Sequence, residues 1–231
     1  MASHLDLEEQ EQLEALKAFW KQWGNLISWG LTAVLLAYAS WVGWNWWQRD
    51  QGAKASALYE QLSNQVEAGD VDKATAAFAV LKERFPSTVA AAQGALLQAR
   101  LQHDKQNDDG ARATLAWAAQ NAGDALYQDL ARLRLAGLQI DAKQLDEAGK
   151  TLDAVKSADF SALVADRRGD IAVLQSKPEV AKAEYLKAYQ AMDKTLDYRQ
   201  LVEAKLASLG AAVPEEAAAE AGKESGKESG K

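Results

Sequence analysis

The chain has 231 residues, of which 48% are apolar and 26% are charged, and its formal net charge is −7. This composition supplies enough apolar side chains for a folded core, so the chain is not disordered throughout. The absence of cysteine excludes disulfide scaffolds, thiolate metal sites and cysteine nucleophiles. The negative charge disfavours nucleic acid as a partner, because phosphates attract basic surfaces.

Residues 1–21 are predicted to form a short amphipathic helix. Asp6 is a candidate N-cap, and the glutamates that follow it favour the positive end of the helix dipole. The apolar side chains share one stripe: Leu13, Leu16, Trp20 and Trp23. We expect this helix to lie at the membrane surface and to continue into the next segment. The alternative is a docking element for a cytoplasmic or membrane partner.

Residues 22–48 are predicted to form a transmembrane helix. No Asp, Glu, Lys, Arg or His lies between Lys21 and Arg49. As a helix, the apolar residues 25–47 would extend ~35 Å, which is enough to cross a hydrocarbon core of ~30 Å with some tilt. Tryptophan prefers the headgroup zone, and it frames this stretch at both ends. The predicted membrane-interface residues are Trp20, Trp23, Trp44, Trp46 and Trp47.

Two other interpretations of this stretch are less consistent with the sequence. A buried helix of a soluble protein rarely extends so far without a charge. Ala37 and Ala39 form the small-x-small pattern of a signal-peptide cleavage site, but the long acidic start and the continuing apolar run are atypical of signal peptides. A permanent single-span anchor is therefore favoured. The positive-inside rule does not decide its orientation, because each flank carries two basic residues: Lys17 and Lys21, and Arg49 and Lys54.

Residues 49–210 have the apolar spacing of consecutive α-helices, and a weak repeat runs through them. Four alanines, separated by 37, 37 and 33 residues, anchor the repeat: Ala74, Ala111, Ala148 and Ala181. Twelve residues before them stand mostly small side chains: Leu62, Ala99, Ala136 and Gly169. Small residues on both helices of a hairpin allow close packing, and hairpins with two apolar faces stack into a solenoid.

Turn-forming residues agree with four helical hairpins and a final capping helix at about 197–209. The predicted turns are residues 68–70, 107–110, 121–124, 141–144 and 176–178. The predicted fold class is therefore all-α: a single N-terminal transmembrane helix, then a solenoid of about four hairpins plus the capping helix. The repeat resembles the tetratricopeptide repeat in a degenerate form, without its usual Trp and Leu-Gly pair. The alternative is a generic alanine-rich helical bundle.

Residues 211–231 are predicted to be a disordered tail. They are dominated by Lys, Glu, Gly and Ser, with no apolar side chain larger than alanine after Pro214. Such a segment does not bury enough apolar surface to offset the entropy of ordering. The string GKESGK only superficially resembles a phosphate-binding loop, because its glycine spacing is wrong and no strand precedes it.

The residues indicate no enzyme, no cofactor and no metal site. The motifs HExxH, GxSxG and GxGxxG are absent, and the two histidines stand about a hundred residues apart. The repeat register instead predicts a partner-binding concave face formed by Gln93, Arg100, His103, Asp166 and Asp170. For His103 and the charged residues 167–170, the alternative is an ordinary solvated helix face. Trp117 is expected to pack in the core or between repeats, and the alternative is a ligand platform.

Four segments stand out from the alanine-rich background: residues 13–24 (LEALKAFWKQWG), 44–49 (WNWWQR), 133–155 and 162–170 (ALVADRRGD). They resemble the YfgM-type family of ancillary subunits of the bacterial SecYEG translocon, over about residues 8–209. The resemblance implies an inner-membrane protein with a cytoplasmic N-terminus and a periplasmic solenoid. It also implies association with the translocon and with periplasmic chaperones or foldases.

The leading hypothesis is therefore a non-enzymatic, membrane-anchored interaction scaffold that links protein export to periplasmic chaperones. It would contact the lipid bilayer through one span and bind no nucleic acid. The alternative is a membrane-tethered regulator whose soluble domain sequesters a signalling or stress-response factor.

Overall fold

A computed structural model of the chain describes residues 7–211, with side chains from residue 11 onward. The predicted Asp6 cap and the predicted tail beyond Ala211 lie outside the described residues. The chain divides into two compact units, Met1–Gln51 and Gly52–Lys231. Every regular element in the described residues is helical, which confirms the all-α fold class.

The first helix, α1, extends over Leu7–Glu67 and contains the predicted span. It is the one helix in the described part of the chain that is long and apolar enough to cross a membrane, and none of its most apolar window is buried. Its largest apolar side chains are exposed, among them Trp29, Leu35 and Trp46. The predicted limits at residues 21 and 48 are changes in composition and not helix ends, because α1 continues through both.

The second unit contains the last turns of α1 followed by helices in antiparallel succession. These are α2 (Val71–Arg84), α3 (Val89–Asp104), α4 (Asp108–Asn121), α5 (Ala125–Asp141), α6 (Leu145–Asp153), α7 (Ser161–Leu174), α8 (Pro178–Ala191) and α9 (Tyr198–Ser208), with a short 3₁₀ turn at Ala158–Phe160. The end of α1 pairs with α2, α3 with α4, α5 with α6 and α7 with α8. The prediction of four hairpins and a capping helix is confirmed.

Local side-chain caps explain why the helices begin where they do. The carboxylate of Asp70 accepts a hydrogen bond from the Lys73 N–H at 3.1 Å, and the Thr88 hydroxyl accepts one from the Ala91 N–H at 3.2 Å. Pro178 occupies the first turn of α8, where no N–H is needed. The predicted turn at 107–110 was too long. Asn107 caps α4, so the three residues after it belong to the helix.

The repeat alanines lie at the helix crossings, as predicted. Each of the four is completely buried: Ala74, Ala111, Ala148 and Ala181. Their partners twelve residues earlier are buried as well, and the tightest crossing is that of α7 with α8. There, a Cβ added to Gly169 would lie 2.3 Å from Cε1 of Tyr185, so only glycine fits. Trp117 packs edge-on against Phe78 of the preceding hairpin, with ring centroids 5.6 Å apart, which confirms its packing role.

A buried carboxylate holds the irregular connection between α6 and α7. Asp129 on α5 is 2% exposed, and its Oδ2 accepts hydrogen bonds from the N–H groups of Lys156 and Ser157 at 2.9 and 2.8 Å. Its Oδ1 lies 2.6 Å from Arg132. Burial opposes ionisation, but these donors outweigh it and hold the pKa of Asp129 below its ordinary value.

We expect Asp129→Asn to destabilise the second unit by about 2 kcal/mol at neutral pH, because the charge-assisted acceptor of two backbone N–H groups is lost. Because the pKa of Asp129 is lower in the folded than in the unfolded state, its ionised carboxylate stabilises the fold at pH values above the unfolded-state pKa of ~3.9. This contribution is lost as the pH falls through the folded-state pKa. The variant should therefore lose less stability on acidification than the parent. Urea denaturation at several pH values measures both effects, and Asp146→Asn on the exposed face of α6 is the matched control. If the free energy of unfolding falls equally with pH in the two variants, the stabilising role of the ionised Asp129 is wrong.

Candidate protein-interaction groove

The inner helices of successive hairpins pack side by side, since α3 contacts α5 and α5 contacts α7. Between them lies an open cavity of about 430 Å³, which we call the groove. Its floor is mostly apolar and consists of Leu96, Ala99, Leu115, Leu130, Leu133, Gly137, Leu138 and Leu163. Its rim is charged and consists of Arg100, His103, Arg134, Asp141 and Arg167. An apolar cleft with a few charged groups at its edge is the usual form of a ligand-binding site.

The three rim arginines recur with the period of the hairpins. Arg134 follows Arg100 by 34 residues, and Arg167 follows Arg134 by 33. One arginine from each inner helix therefore reaches the same groove. Because guanidinium groups bind carboxylates through two parallel hydrogen bonds, this row suits an acidic ligand.

Arg134 lacks an acidic partner within residues 7–211. No carboxylate of those residues lies within ion-pair distance of it, whereas Arg167 pairs with Asp170 at 3.2 Å and Arg100 reaches Asp104 only at 3.8 Å. Burial and the neighbouring charge of Arg100 lower the pKa of Arg134 from its ordinary value. An anion bound at this position would relieve the repulsion between the two guanidinium groups.

His103 adds a titratable group to the rim. Its Nδ1 lies 2.6 Å from Oδ1 of Asp108, and the side chain is 52% exposed. The hydrogen bond to Asp108 outweighs partial desolvation and raises the pKa of His103 above its ordinary value, with smaller contributions from Asp104 and Asp141. The imidazole therefore stays cationic to higher pH than a free histidine.

We expect Asp108→Asn to lower the pKa of His103 towards ~6.5, because the main stabilising contact of the imidazolium is removed. The ion pair contributes to stability below the unfolded pKa, and the contribution is lost as the pH rises through the raised folded value. A titration followed by NMR of the ring protons measures the shift, with His4→Gln to assign the two histidine signals. The control is Asp159→Asn, which changes a carboxylate on another connection. A shift of equal size in both variants would contradict this assignment.

The five predicted partner-binding residues fall into three places in the structure. Arg100 and His103 line the groove, while Gln93 lies outside its lining and donates a hydrogen bond to the Tyr127 hydroxyl at 2.7 Å. Asp166 does not face an open surface, because its side chain is completely buried against α9. Asp170 is largely buried in the same cluster. Partner binding by these residues stays a prediction.

Asp166 and Asp170 belong to a polar cluster that attaches the capping helix. The ammonium of Lys205 on α9 lies 2.7 Å from both carboxylates. The hydroxyls of Tyr198 and Tyr185 donate to Asp166 and Asp170, each at 2.8 Å. Burial and the hydrogen bond to Asp166 raise the pKa of Tyr198 to about 12, so its hydroxyl keeps its proton at neutral pH. These contacts attach α9 to the end of the solenoid.

Sequence reasoning missed Arg134 as a groove residue and Lys205 as the partner of the buried aspartates. It considered Arg167 only within the charged segment 167–170 and did not assign it to the concave face. The spacing of 34 residues from Arg100 to Arg134 and of 33 residues from Arg134 to Arg167 was a usable signal for both arginines. No comparable signal indicated Lys205, because α9 lies outside the repeat register. In residues 7–211 no group of three His, Asp or Glu side chains is arranged to hold a metal ion.

Comparisons with known proteins agree with this architecture. The model of a family described as a tetratricopeptide repeat-like domain matches residues 17–211. An ancillary SecYEG translocon subunit of Neisseria gonorrhoeae is 32% identical over 90% of this chain and 100% of its own length. Proteins with the same name from Haemophilus influenzae and Escherichia coli are each 31% identical, over 80% and 77% of this chain and 90% and 85% of their own lengths.

No solved structure gives a significant match to the chain. The family is nevertheless established by the breadth of the alignments, which include both the apolar helix and the solenoid. The chain belongs to the tetratricopeptide repeat-like family of ancillary SecYEG translocon subunits.

Proposed function

We propose that this protein is a membrane-anchored, non-catalytic subunit of the SecYEG translocon, which holds segments of partner polypeptides in the groove of its solenoid. The observation that carries the proposal is the apolar groove with an arginine from each of three inner helices, on a chain related over 90% of its length to an ancillary translocon subunit. The arrangement provides binding surface and charge. It offers no convergent acid, base and nucleophile.

The anchor and the orientation are part of the proposal. Residues 22–48 would cross the inner membrane once, with the five interface tryptophans at its two surfaces. The N-terminus would be cytoplasmic and the solenoid periplasmic, where it would meet emerging polypeptides together with chaperones or foldases. The length and apolar surface of α1 support the span. The orientation follows from the family resemblance, because the flanking charges are balanced.

Photo-crosslinking in native membranes tests the association with the translocon. A photoreactive amino acid at Trp41 or Trp44 should give products with subunits of SecYEG, whereas the same probe at Lys150, on the exposed side of the solenoid, should not. Isolation of the full-length protein in mild detergent should recover the same partners. Products absent from the span positions, with the protein intact in the membrane, would refute the proposal.

The groove and the orientation are tested separately. Arg134→Glu should reduce the recovery of periplasmic partners in detergent isolates while the translocon crosslinks from Trp44 persist. Lys150→Glu makes the same charge change on α6 and should have no effect. A C-terminal alkaline phosphatase fusion should be active if the solenoid is periplasmic. An inactive fusion, with an active cytoplasmic reporter at the same position, would instead support the regulator hypothesis.

A further inference from the structure

We propose that the groove is an intramolecular docking site for the acidic segment 215–220 (EEAAAE), which follows the capping helix in the same chain. This inference rests on the proposed role of the groove as a polypeptide-binding site and names one occupant of it. The segment lies outside the described residues, and its sequence, its point of attachment and the properties of the groove support the docking.

Charge complementarity is the first argument. The chain as a whole is acidic, with a net charge of −7, yet Arg100, Arg134 and Arg167 converge on the groove. Arg134 has no carboxylate partner within residues 7–211, and the charge of Arg100 disfavours its ionised form. Arg100 and Arg167 already have Asp104 and Asp170 as neighbours, so Arg134 is the rim cation that a carboxylate of the segment would neutralise. Glu215, Glu216 and Glu220 offer three such carboxylates on one short stretch.

The size of the side chains is the second argument. The floor of the groove includes Gly137, where an added Cβ would meet nothing within 4 Å, beside leucines that favour apolar contact. Between its glutamates the segment carries only alanines, Ala217 to Ala219. It therefore presents methyl groups to the apolar floor while its carboxylates reach the arginine rim. Beyond residue 220, lysine and glutamate alternate, so the rest of the tail lacks this complementarity.

The point of attachment is the third argument. Lys205 joins α9 directly to Asp166 on α7, and the adjacent residue Arg167 lines the groove. Packed helix axes are ~10 Å apart, so the centre of the groove is about two helix spacings, or ~20 Å, from α9. An extended segment over residues 212–220 spans up to ~30 Å. The connection is therefore long enough to reach the groove. It is also short enough to hold the segment there at an effective concentration on the order of 1 mM.

The consequence is a competition for the groove. A partner segment binds only when it displaces residues 215–220, so weakly acidic or poorly matched polypeptides are excluded. The bound segment also pairs Arg134 with a carboxylate when no partner is present.

A crosslinking experiment on the full-length protein in detergent micelles tests the docking. The chain has no cysteine, so Ala218→Cys provides a unique attachment point for a benzophenone maleimide. We expect crosslinks from this position to residues of α3, α5 and α7 that line the groove, with a yield independent of protein concentration. Arg134→Glu should reduce this yield at least tenfold. Reversing the charges on both sides, with Glu215→Lys and Glu216→Lys added to Arg134→Glu, should restore it.

Lys150→Glu is the matched control and should leave the crosslinks unchanged. The proposal would be overturned by crosslinks scattered over the solenoid or by an equal loss of crosslinks in the control. It would also be overturned by a yield that rises with protein concentration, because that dependence would indicate docking to a second copy. A labelled peptide of residues 213–221 provides an independent measurement. It should bind a chain truncated after Ala211 at least tenfold more tightly than the full-length chain, and equal binding would overturn the intramolecular occupant. Persisting SecYEG crosslinks in that case would leave the proposed function intact.

Discussion

Gly169→Ala is expected to destabilise the second unit by about 3 kcal/mol, at the upper end of the usual cost of overpacking. The new methyl group would lie 2.3 Å from the ring of Tyr185. This ring does not move aside easily, because it is 3% exposed and its hydroxyl donates to Asp170 at 2.8 Å. The helices α7 and α8 would therefore have to separate at their crossing. Urea denaturation followed by circular dichroism measures the loss.

Gly149→Ala is the matched control for this experiment. Gly149 also lies within a helix, but a Cβ there would meet nothing within 4 Å. Alanine exceeds glycine in helix propensity by about 1 kcal/mol, so this variant should be as stable as the parent or more stable. If both variants gain stability, the close approach of α7 and α8 at Gly169 is wrong.

The repeat register was the part of the fold that the sequence predicted best. Its signal is steric: a crossing between two helices tolerates only small side chains, so buried alanines recur at the hairpin period. Ala74, Ala111 and Ala148 are all completely buried at these crossings. Turn positions followed for a similar reason, since Asp70 and Thr88 form caps that depend on residues only three positions away.

The predicted limits of the span at residues 21 and 48 are not limits of helix α1. Composition changes sharply at residues 21 and 48, as the proposed span requires, since lipid and water favour different side chains. Helical backbone hydrogen bonds form in both environments. The described part of the helix has no proline to interrupt it. The changes in composition at residues 21 and 48 are therefore visible in the sequence, although the helix continues through both positions.

The site residues show where a repeat register ceases to be informative. Register assigns a side chain to a face of its own helix, and this correctly brought Arg100 and His103 to the groove. It failed for Asp166, because the face opposite that residue is covered by α9, whose sequence is not part of the repeat. The partner of Asp166 is Lys205, 39 residues away. Contacts at that separation depend on the packing of the end of the solenoid and not on local pattern.

Asp166→Ala is expected to destabilise the packing of α9 by about 3–5 kcal/mol, the usual cost of breaking a buried ion pair. The Asp166 side chain is 0% exposed, and Lys205 is 22% exposed and lies 2.7 Å from it. Removal of the carboxylate leaves the ammonium with Asp170 alone and takes the acceptor from the Tyr198 hydroxyl. Hydrogen exchange measured by mass spectrometry should show faster exchange in α9 and at the α7–α9 contact, with α3 and α4 unaffected.

Two further variants separate the buried charge from a general loss of helix packing. Glu179→Ala breaks a surface pair with Lys182 at 2.9 Å, where the glutamate is 81% exposed, and should cost less than about 1 kcal/mol. Asp166→Leu combined with Lys205→Met removes both charges and should recover part of the stability lost in Asp166→Ala, because no buried ammonium is left underneutralised. If the double variant is no more stable than Asp166→Ala, the cluster stabilises α9 through shape and the hydroxyl contacts, and the ion pair is not what holds the end of the solenoid.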